Sequence, residues 1–549
     1  MIGALRFFLL GAKTDVPRAA ASATMFRSVN PWVIAAIVVI PTFMEVLDTT
    51  IANVALRYIA GGLSAAVIDS EWVITSYLAA NATILPISGW LSSRLGRRNY
   101  FIGSIVVFTF ASALCGFATS LEQLICFRIL QGLAGGGLQP SSQGVLLDAF
   151  PQEKQGSAMT VFGVAALIAP VIGPTLGGYL TVNFDWRWIF YINIPIGAFA
   201  ALAAWTVLED PPYLKLETAE HRKAGWRLDG IGLGVLAITV SAWEVLMSKG
   251  QEWDWFGDPF WRVQTLAIAF AVGLAFLFWY EMRIADPVVN FRPLAERNFL
   301  ISTLVIFSSF GVLYAASTTL PNLLQTLFGY DAFASGLVLS PSGIFAVATI
   351  LIVGPLITRG WDARIFVACG LVLIALGCYW MSLMTLAIGP WQAVWPRVVM
   401  IIGLSMIFAP LNVAAFLYIP RNLRGAAVGL FALLRNEGGS VGTSVAQTIE
   451  VRREQFHTSR IGEFLDPLNP AVNQYLNDAH AYFYRLCGDS ALADKMALQT
   501  LSNERARQAA SLAYFDDFFI FAVVALLLIG LVLLMKRSVA AKSHLPGAE

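Results

Sequence analysis

The sequence predicts an all-α membrane protein with fourteen transmembrane helices, arranged as two six-helix pseudo-repeat halves with two additional central helices. Three observations lead to this fold class. The 549 residues are 57% hydrophobic and only 13% charged, with a mean hydropathy of +0.68, far from the composition of soluble domains. Apolar runs of about 20 residues, the length that crosses a bilayer, recur along the chain. Short glycine-containing motifs also return at a fixed separation.

The first eight predicted spans form a group of six and a pair. The six precede a polar connection, and the pair that follows it supplies the two additional central helices. The limits of the eight runs are Trp32–Leu56, Glu71–Ser92, Tyr100–Ala118, Leu121–Leu147, Ser157–Leu180, Trp188–Leu208, Ile231–Met247 and Val263–Trp279.

The last six predicted spans are bounded by Pro, Gly or charged residues. Their limits are Leu300–Leu320, Ala334–Ile357, Ile365–Ile388, Val394–Leu417, Ala426–Ile449 and Phe518–Leu534. The chain therefore divides into five parts: a cytosolic N-terminal tail (1–30), a first half (31–208), a cytosolic connection with the additional helices (209–283), a second half (284–537) and a cytosolic C-terminal tail (538–549).

The basic residues predict the orientation. With both termini in the cytosol, the inside connections hold most of the 36 Lys and Arg residues, as the positive-inside rule requires. They include Arg94, Arg97, Arg98, Lys215, Arg222, Lys223, Arg421, Arg424, Lys536 and Arg537.

In that orientation the polar segment 450–512 lies outside the membrane. We expect it to form a small extracytoplasmic cap, and it serves either as a solvated loop or as a docking surface for a partner protein.

Two motif pairs support a duplicated architecture. "GWLSSR" from Gly89 and "GPLITR" from Gly354 are 265 residues apart, and the same separation joins "GPTLGG" from Gly173 to "GGSVGT" from Gly438. Spans 4 and 12 do not superpose at this separation. Duplicated six-helix halves are typical of secondary transporters.

The composition and motifs exclude several other function classes. A net charge of +1 argues against a nucleic-acid partner. The five cysteines show no CxxC spacing, and the four histidines lie in polar connections or the tail, so neither a metal site nor an intramembrane imidazole relay is expected. The sequence has no ATP-binding GxxxxGKS/T motif. We therefore expect no enzyme and no cofactor, but a transporter that uses an ion gradient, with carboxylates carrying any proton.

Three stretches carry a family resemblance: "LDTTIANVAL" at Leu47–Leu56, "RILQGLAGGGLQP" at Arg128–Pro140 and "APVIGPTLGGY" at Ala169–Tyr179. They resemble motifs of the major facilitator superfamily, and in particular of its fourteen-span drug:proton antiporter branch. In "GWLSSRLGRR" Ser93 stands where the superfamily has Asp, so the usual latch of that loop is not expected.

The resemblance implies a bacterial inner-membrane exporter of amphipathic drugs or toxic compounds that works by alternating access. It also implies a periplasmic adaptor protein and an outer-membrane channel as partners, with segment 450–512 as the contact surface. The residues that it assigns to conformational change are Gly89, Arg94, Arg97, Arg98, Pro170, Gly173, Pro174, Gly177 and Gly178.

Two acids in the first span predict the proton-coupling site. Glu45 and Asp48 are three residues apart, so they share one face of the helix, and acids at this depth need compensation. At 1.5 Å per residue they lie about 20 and 24 Å from the cytosolic end of span 1, and Arg128 lies about 10 Å from the outer end of span 4. We expect Arg128 to pair with one of them, leaving a surplus acid that holds one exchangeable proton. A fixed neutral network that ties helices together is the alternative.

A second charged pair lies in span 13. Arg435 and Glu437 lie near the midplane by the same arithmetic, and they form either a second-half proton or substrate site or a local charge pair. Glu244 and the pair Asp516 and Asp517 are expected at the membrane interface.

Polar and small residues complete the predicted cavity. Amides on probable cavity faces either orient substrate or bond across helices: Asn53, Asn81, Gln131, Gln139 and Gln143. Gly173 and Gly177, like Gly438 and Gly442, allow close helix packing or, together with Pro170 and Pro174, bending.

The sequence therefore predicts drug efflux in exchange for protons. Two alternatives stay open: a dedicated exporter or importer of one metabolite, and a non-transporting scaffold or sensor. The sequence also allows Na⁺ in place of H⁺ as the coupling ion.

Overall fold

The computed structural model describes residues 30–151, 154–211, 214–216, 218–219, 229–284, 287–420, 423–466 and 468–538, and within these ranges every regular element is helical. The predicted tails, apart from Asn30 and Ser538, lie outside the described residues. So do Arg222, Lys223 and Arg421 of the predicted basic connections.

Ten helices build the first half: α1 (Pro31–Gly62), α2 (Val67–Ser70), α3 (Trp72–Ile84), α4 (Ser88–Leu95), α5 (Arg97–Phe117), α6 (Leu121–Gly135), α7 (Leu138–Ala149), α8 (Gln155–Asn183), α9 (Trp188–Tyr191) and α10 (Asn193–Val207). The additional central pair is α11 (Gly230–Lys249) and α12 (Arg262–Glu281). One 3₁₀ turn lies between them, at Trp255–Gly257, and another follows α12, at Arg292–Ala295.

Eight helices follow: α13 (Arg297–Leu327), α14 (Ala332–Leu339), α15 (Pro341–Thr358), α16 (Ala363–Ser382), α17 (Pro390–Phe416), α18 (Arg424–Gly462), α19 (Pro470–Cys487) and α20 (Ser490–Leu533).

Eleven helices or helix pairs within the described part of the chain are long and apolar enough to cross a membrane. An all-helical, multi-pass membrane protein is therefore confirmed. Three predicted spans fall outside this set. The second is interrupted between α3 and α4, and the fourth between α6 and α7. The thirteenth, α18, is rich in polar residues. The count of fourteen and the pseudo-repeat layout stay predictions.

The polar segment 450–512 is helical. It comprises the end of α18, the whole of α19 and the first half of α20, which then continues into the last apolar run. Helix α19 packs on α20 yet has no buried residue. We call this end of the bundle the cap end, and the opposite end, which carries Arg94, Arg97 and Arg98, the basic end.

The arginines at the basic end make contacts within the first half. Arg97 forms an ion pair with Asp148. The Arg98 guanidinium donates to the Trp205 carbonyl at 2.7 Å. Arg94 lies 4.5 Å over the Trp90 ring. Ser93, which replaces the family's Asp, donates only to the nearby Trp90 carbonyl, at 2.9 Å.

Small residues join the two halves at the basic end. A Cβ built on Gly89 would lie 3.0 Å from the Gly425 backbone, and one on Gly429 would lie 2.8 Å from the Leu85 carbonyl oxygen. Helices α8 and α15 also pack together along this seam. Only small residues allow such close approach of backbones, so the halves are in direct contact at this end.

The predicted glycine pairs lie at helix contacts inside each half. Gly173 and Gly177 of α8 face Thr50 and Ile51 of α1. Helix α8 continues without a break through the buried residues Pro170, Pro174 and Gly178. Gly438 and Gly442 of α18 face the α13 backbone. In this state the glycines serve close packing.

We predict that Gly442→Ala lowers the free energy of unfolding by about 1–3 kcal/mol, the usual cost of overpacking. The new Cβ would overlap the backbone of Gly311, which cannot rotate away as a side chain does. Thermal unfolding in detergent measures the effect. Gly234→Ala in α11 is the matched control, because nothing lies within 4 Å of its Cβ position and alanine favours the helix. Equal stability of the two variants would contradict the prediction.

Candidate functional site

A buried ion pair joins α1 to α6. Arg128 Nη1 lies 2.6 Å from Asp48 Oδ2, and both side chains are inaccessible to solvent. Glu45, one helical turn before Asp48, is equally buried. Because residues three apart lie on the same side of a helix, α1 directs both acids into the protein and away from the lipid.

Neutral groups from three helices complete the surroundings of this pair. Gln131 and Asn193 donate to Asp48 Oδ1 at 3.0 and 2.7 Å. Arg128 also donates to the Val73 carbonyl at 3.1 Å and lies 4.1 Å over the Tyr77 ring. Among the described residues Arg128 Nη2 has no hydrogen-bond partner, but the other contacts lower the cost of burying the two charges.

Glu45 has a different environment. Asn81 and Tyr77 donate to its Oε1 at 3.0 and 3.4 Å, and Gln139 donates to Oε2. Among the described residues no cation lies within ion-pair distance of this carboxyl group. Glu45 is therefore the acid left over after Arg128 has paired with Asp48.

Gln139 connects Glu45 to the second half. Its side-chain carbonyl accepts a hydrogen bond from Arg435 of α18, while its amide donates to Glu45. Arg435 also lies between the Phe162 and Phe310 rings, at 5.9 and 5.6 Å. One neutral amide thus links an acid of the first half to a cation of the second.

Arg435 and Glu437 do not form one site. Residues two apart point to opposite sides of a helix, so Arg435 faces Gln139 while Glu437 faces Glu244 of α11. The structure divides the predicted second-half constellation between two neighbourhoods.

The interfacial depth of Glu244 and Asp517 stays a prediction, but both side chains are buried within the protein. Helix α11 packs against α3 and α18, and α20 runs unbroken from the cap end into the bundle. Asp516 is partly exposed and pairs with Arg453 at 2.5 Å and His457 at 2.7 Å.

A cavity of about 170 Å³ lies between α1, α3, α11, α13 and α18. Its deep end is formed by Glu45, Gln139 and Tyr314, and it reaches the cap end at Glu71, whose side chain is 41% exposed. Towards the basic end it is closed by the contact of Gln139 with Arg435. Access is therefore from the cap end.

Three of the five predicted cavity amides, Asn53, Asn81 and Gln139, line this space. Gln131 instead holds Asp48 and Arg128. Gln143 is buried outside the cavity, and its amide atoms have no hydrogen-bond partner within the described ranges.

Sequence reasoning missed Arg397 of α17. It is fully buried, and its Nη2 donates to Ser317 at 2.5 Å. Arg397 follows Arg128 by 269 residues, and Ser317 follows Asp48 by the same 269. This shared separation was a usable signal. The second half keeps the arginine of the ion pair but has a serine in place of the acid.

The chain is similar over most of its length to several bacterial export and resistance proteins. It is 33% identical to the multidrug export protein EmrB of Escherichia coli strain K12 over 497 residues, which cover 90% of this chain and 93% of that one. Identity to EmrB of Haemophilus influenzae is 35%, covering 80% and 84%. Identity to the fatty acid resistance protein FarB of Neisseria gonorrhoeae is 33%, covering 90% and 94%.

Solved structures of similar fold include the human organic anion transporter MFSD10, with a TM-score of 0.57 and 15% identity over 92% of this chain and 100% of that one. A bacterial homologue of the lysosomal transporter Spinster has a TM-score of 0.54 and 15% identity, covering 93% and 97%. At these identities the likeness concerns the fold alone.

The family is shown by a direct match as well. Residues 38–443 match the model of the Major Facilitator Superfamily. This range includes most of α1, Arg128, most of the cavity lining and Arg435. The chain belongs to the Major Facilitator Superfamily, a family of membrane transporters and not of enzymes.

Proposed function

We propose that this protein is a secondary active efflux transporter that exports amphipathic drugs or toxic compounds in exchange for protons by alternating access. The similarity to multidrug export proteins supports the substrate class. One structural observation carries the mechanism. The cavity has at its floor an acid, Glu45, that is tied through Gln139 to the opposite half.

Glu45 carries the exchanged proton in this proposal, and Asp48 with Arg128 stays a fixed pair. Asp48 accepts hydrogen bonds from three side chains and does not line the cavity. Glu45 lines the cavity and has only neutral donors. An acid without a paired cation in a water-accessible site can gain or lose a proton at far lower cost than one in a sealed ion pair.

Protonation of Glu45 would weaken the link between the halves. Ionised Glu45 attracts both the Gln139 amide and, through it, the charge of Arg435. A neutral Glu45 removes that attraction, so the halves can separate at the basic end. A ligand can shift such an equilibrium only by binding one state better than the other, and the proton does so here by removing a charge.

Orientation then gives the direction of transport. If the basic end faces the cytosol, as the positive-inside rule favours, the cavity opens to the outside and protons enter Glu45 from there. One proton moving inward yields about 2.3 kcal/mol per 100 mV and about 1.4 kcal/mol per pH unit. Together these terms sustain a substrate gradient of several hundredfold.

The cavity lining supports an amphipathic substrate. Apolar side chains such as Leu56, Leu78 and Met247 alternate with amides, and two acids but no basic residue line the space. Such a wall favours compounds with a large apolar part and a neutral or cationic polar group. A cationic substrate and the proton compete because both bind the ionised carboxylate of Glu45.

We predict that Glu45→Gln abolishes drug-driven proton exchange while leaving the folded protein intact, because glutamine keeps the shape and the hydrogen bonds but cannot titrate. The measurement uses purified protein in vesicles with a pH-sensitive dye. Adding a fluorescent amphipathic cation should release an imposed pH gradient in the wild type and not in the variant.

Glu122→Gln is the matched control, since Glu122 lies in the first turn of α6, far from the cavity. It should exchange protons at the wild-type rate. Wild-type exchange by Glu45→Gln would overturn the assignment of Glu45, and no exchange in the wild type would overturn antiport itself.

We further propose that the cap helices contact a periplasmic adaptor protein, which passes substrate to an outer-membrane channel, and that the protein lies in the bacterial inner membrane. Helix α19 projects from the bundle with all its residues accessible. Replacing residues 470–487 with a flexible linker should abolish co-purification with the adaptor while leaving vesicle exchange unchanged. Undiminished co-purification would rule this surface out.

A further inference from the structure

The additional helix α11 carries an acid that no part of the proposed cycle uses. Glu244 is 1% exposed and accepts a hydrogen bond from Ser440 of α18, which is one helical turn after Glu437. Glu437 is 6% exposed, and its side chain lies beside Glu244. Helix α11 also packs on α3 of the first half. The two carboxyl groups therefore meet at the seam between the halves, at the point where the additional helix contacts both.

Hydrogen-bond chemistry requires a proton in this contact. An ionised carboxylate only accepts hydrogen bonds, so two carboxyl groups can bond to each other only if one of them is protonated. Ser440 donates to Glu244 Oε1 at 3.1 Å. The other Glu244 oxygen and both Glu437 oxygens have no hydrogen-bond partner in good geometry among the described residues, although the neutral indole N–H of Trp243 lies near Glu437. The pair thus lacks the donors that two negative charges would need.

The cations nearest along the two helices are already engaged elsewhere. Lys249 binds Glu71 at 2.8 Å and Glu252 at 2.5 Å, and Arg435 faces Gln139. None of the ion pairs found in the described ranges includes Glu244 or Glu437.

The elements that pack on α11 and α18 carry further titratable or charged groups, none of which neutralises the pair by an ion-pair contact. They include Glu71 and Tyr77 at α3, Arg94 on α4, Asp148 on α7, Arg262, Tyr280 and Glu281 on α12, Arg297 and Tyr314 on α13, Glu450 on α18, and Tyr514, Asp516 and Asp517 on α20.

We propose that Glu244 and Glu437 share one proton and form a second protonation site, separate from Glu45, that fastens α11 to the second half. Two ionised carboxylates in a low-dielectric interior repel each other strongly, so the contact persists only while the proton is bound. Ser440, which donates to Glu244, also lines the cavity. It therefore marks the route by which water in the cavity can exchange this proton.

This site would give the additional helix a role. With the proton bound, α11 closes the cavity wall between α3 and α18. Without it, repulsion separates α11 from α18 and loosens that wall. Only the role of this site in a transport cycle rests on the proposed function, because the bound proton can be measured without transport.

The test is infrared difference spectroscopy of the purified full-length protein during a pH titration, which detects the carbonyl stretch of protonated carboxyl groups. Glu244→Gln and Glu437→Gln should each remove the same single band. The double variant should remove no more than either single variant. Glutamine at either position can donate to the remaining carboxylate, so the helix contact is preserved, and either variant is informative if the other fails to fold.

Two comparisons separate this proposal from the proposed function. Glu45→Gln and Glu122→Gln should each lose only the band of their own carboxyl group and keep the shared band. Loss of the same band in Glu244→Gln and in Glu437→Gln supports the shared site whatever the vesicle assay shows for Glu45. The proposal is overturned if Glu244→Gln removes no band, or if the two single variants remove different bands whose losses add in the double variant.

Discussion

The structure depends on the free-energy cost of burying an ionised group inside a membrane-spanning helix bundle. Asp48 and Arg128 meet this constraint together, with direct contact and neutral donors around them. Removing one partner of such a pair leaves an uncompensated buried charge, which typically costs about 3–5 kcal/mol. The pair therefore fixes α1 against α6, and through Val73 and Asn193 it also fixes α3 and α10.

Because that pair is neutral and sealed, the other acid of α1 is free for a different task. Glu45 lies one turn away on the same face, but it faces the cavity and the opposite half. Its link to Arg435 through Gln139 makes its charge part of the contact between the halves. A rigid half with a fixed ion pair and one titratable acid at the seam is what a rocking mechanism requires.

The sequence was sufficient for features that depend on a single helix or on depth. Apolar runs located the helices, the three-residue spacing put Glu45 and Asp48 on one face, and a rise of 1.5 Å per residue placed Arg128 at a matching level. The sequence was insufficient where contacts cross between helices. It could not show which acid Arg128 would take, since that depends on how α1 packs against α6. Nor could it show that Gln139 bridges to Arg435, which depends on how α7 packs against α18.

Glu244 was assigned to the interface because it is close to the end of an apolar run, and only the packing of α11 on α18 reveals its burial.

Proton release on substrate binding tests the division of roles between the two acids of α1 most directly. It is measured by titration calorimetry of the detergent-solubilised protein in buffers of different ionisation enthalpy, at a fixed pH where Glu45 is protonated before binding. Binding linked to one titrating acid should release about one proton per bound molecule in the wild type and none in Glu45→Gln. Equal proton release by the two proteins would contradict the account.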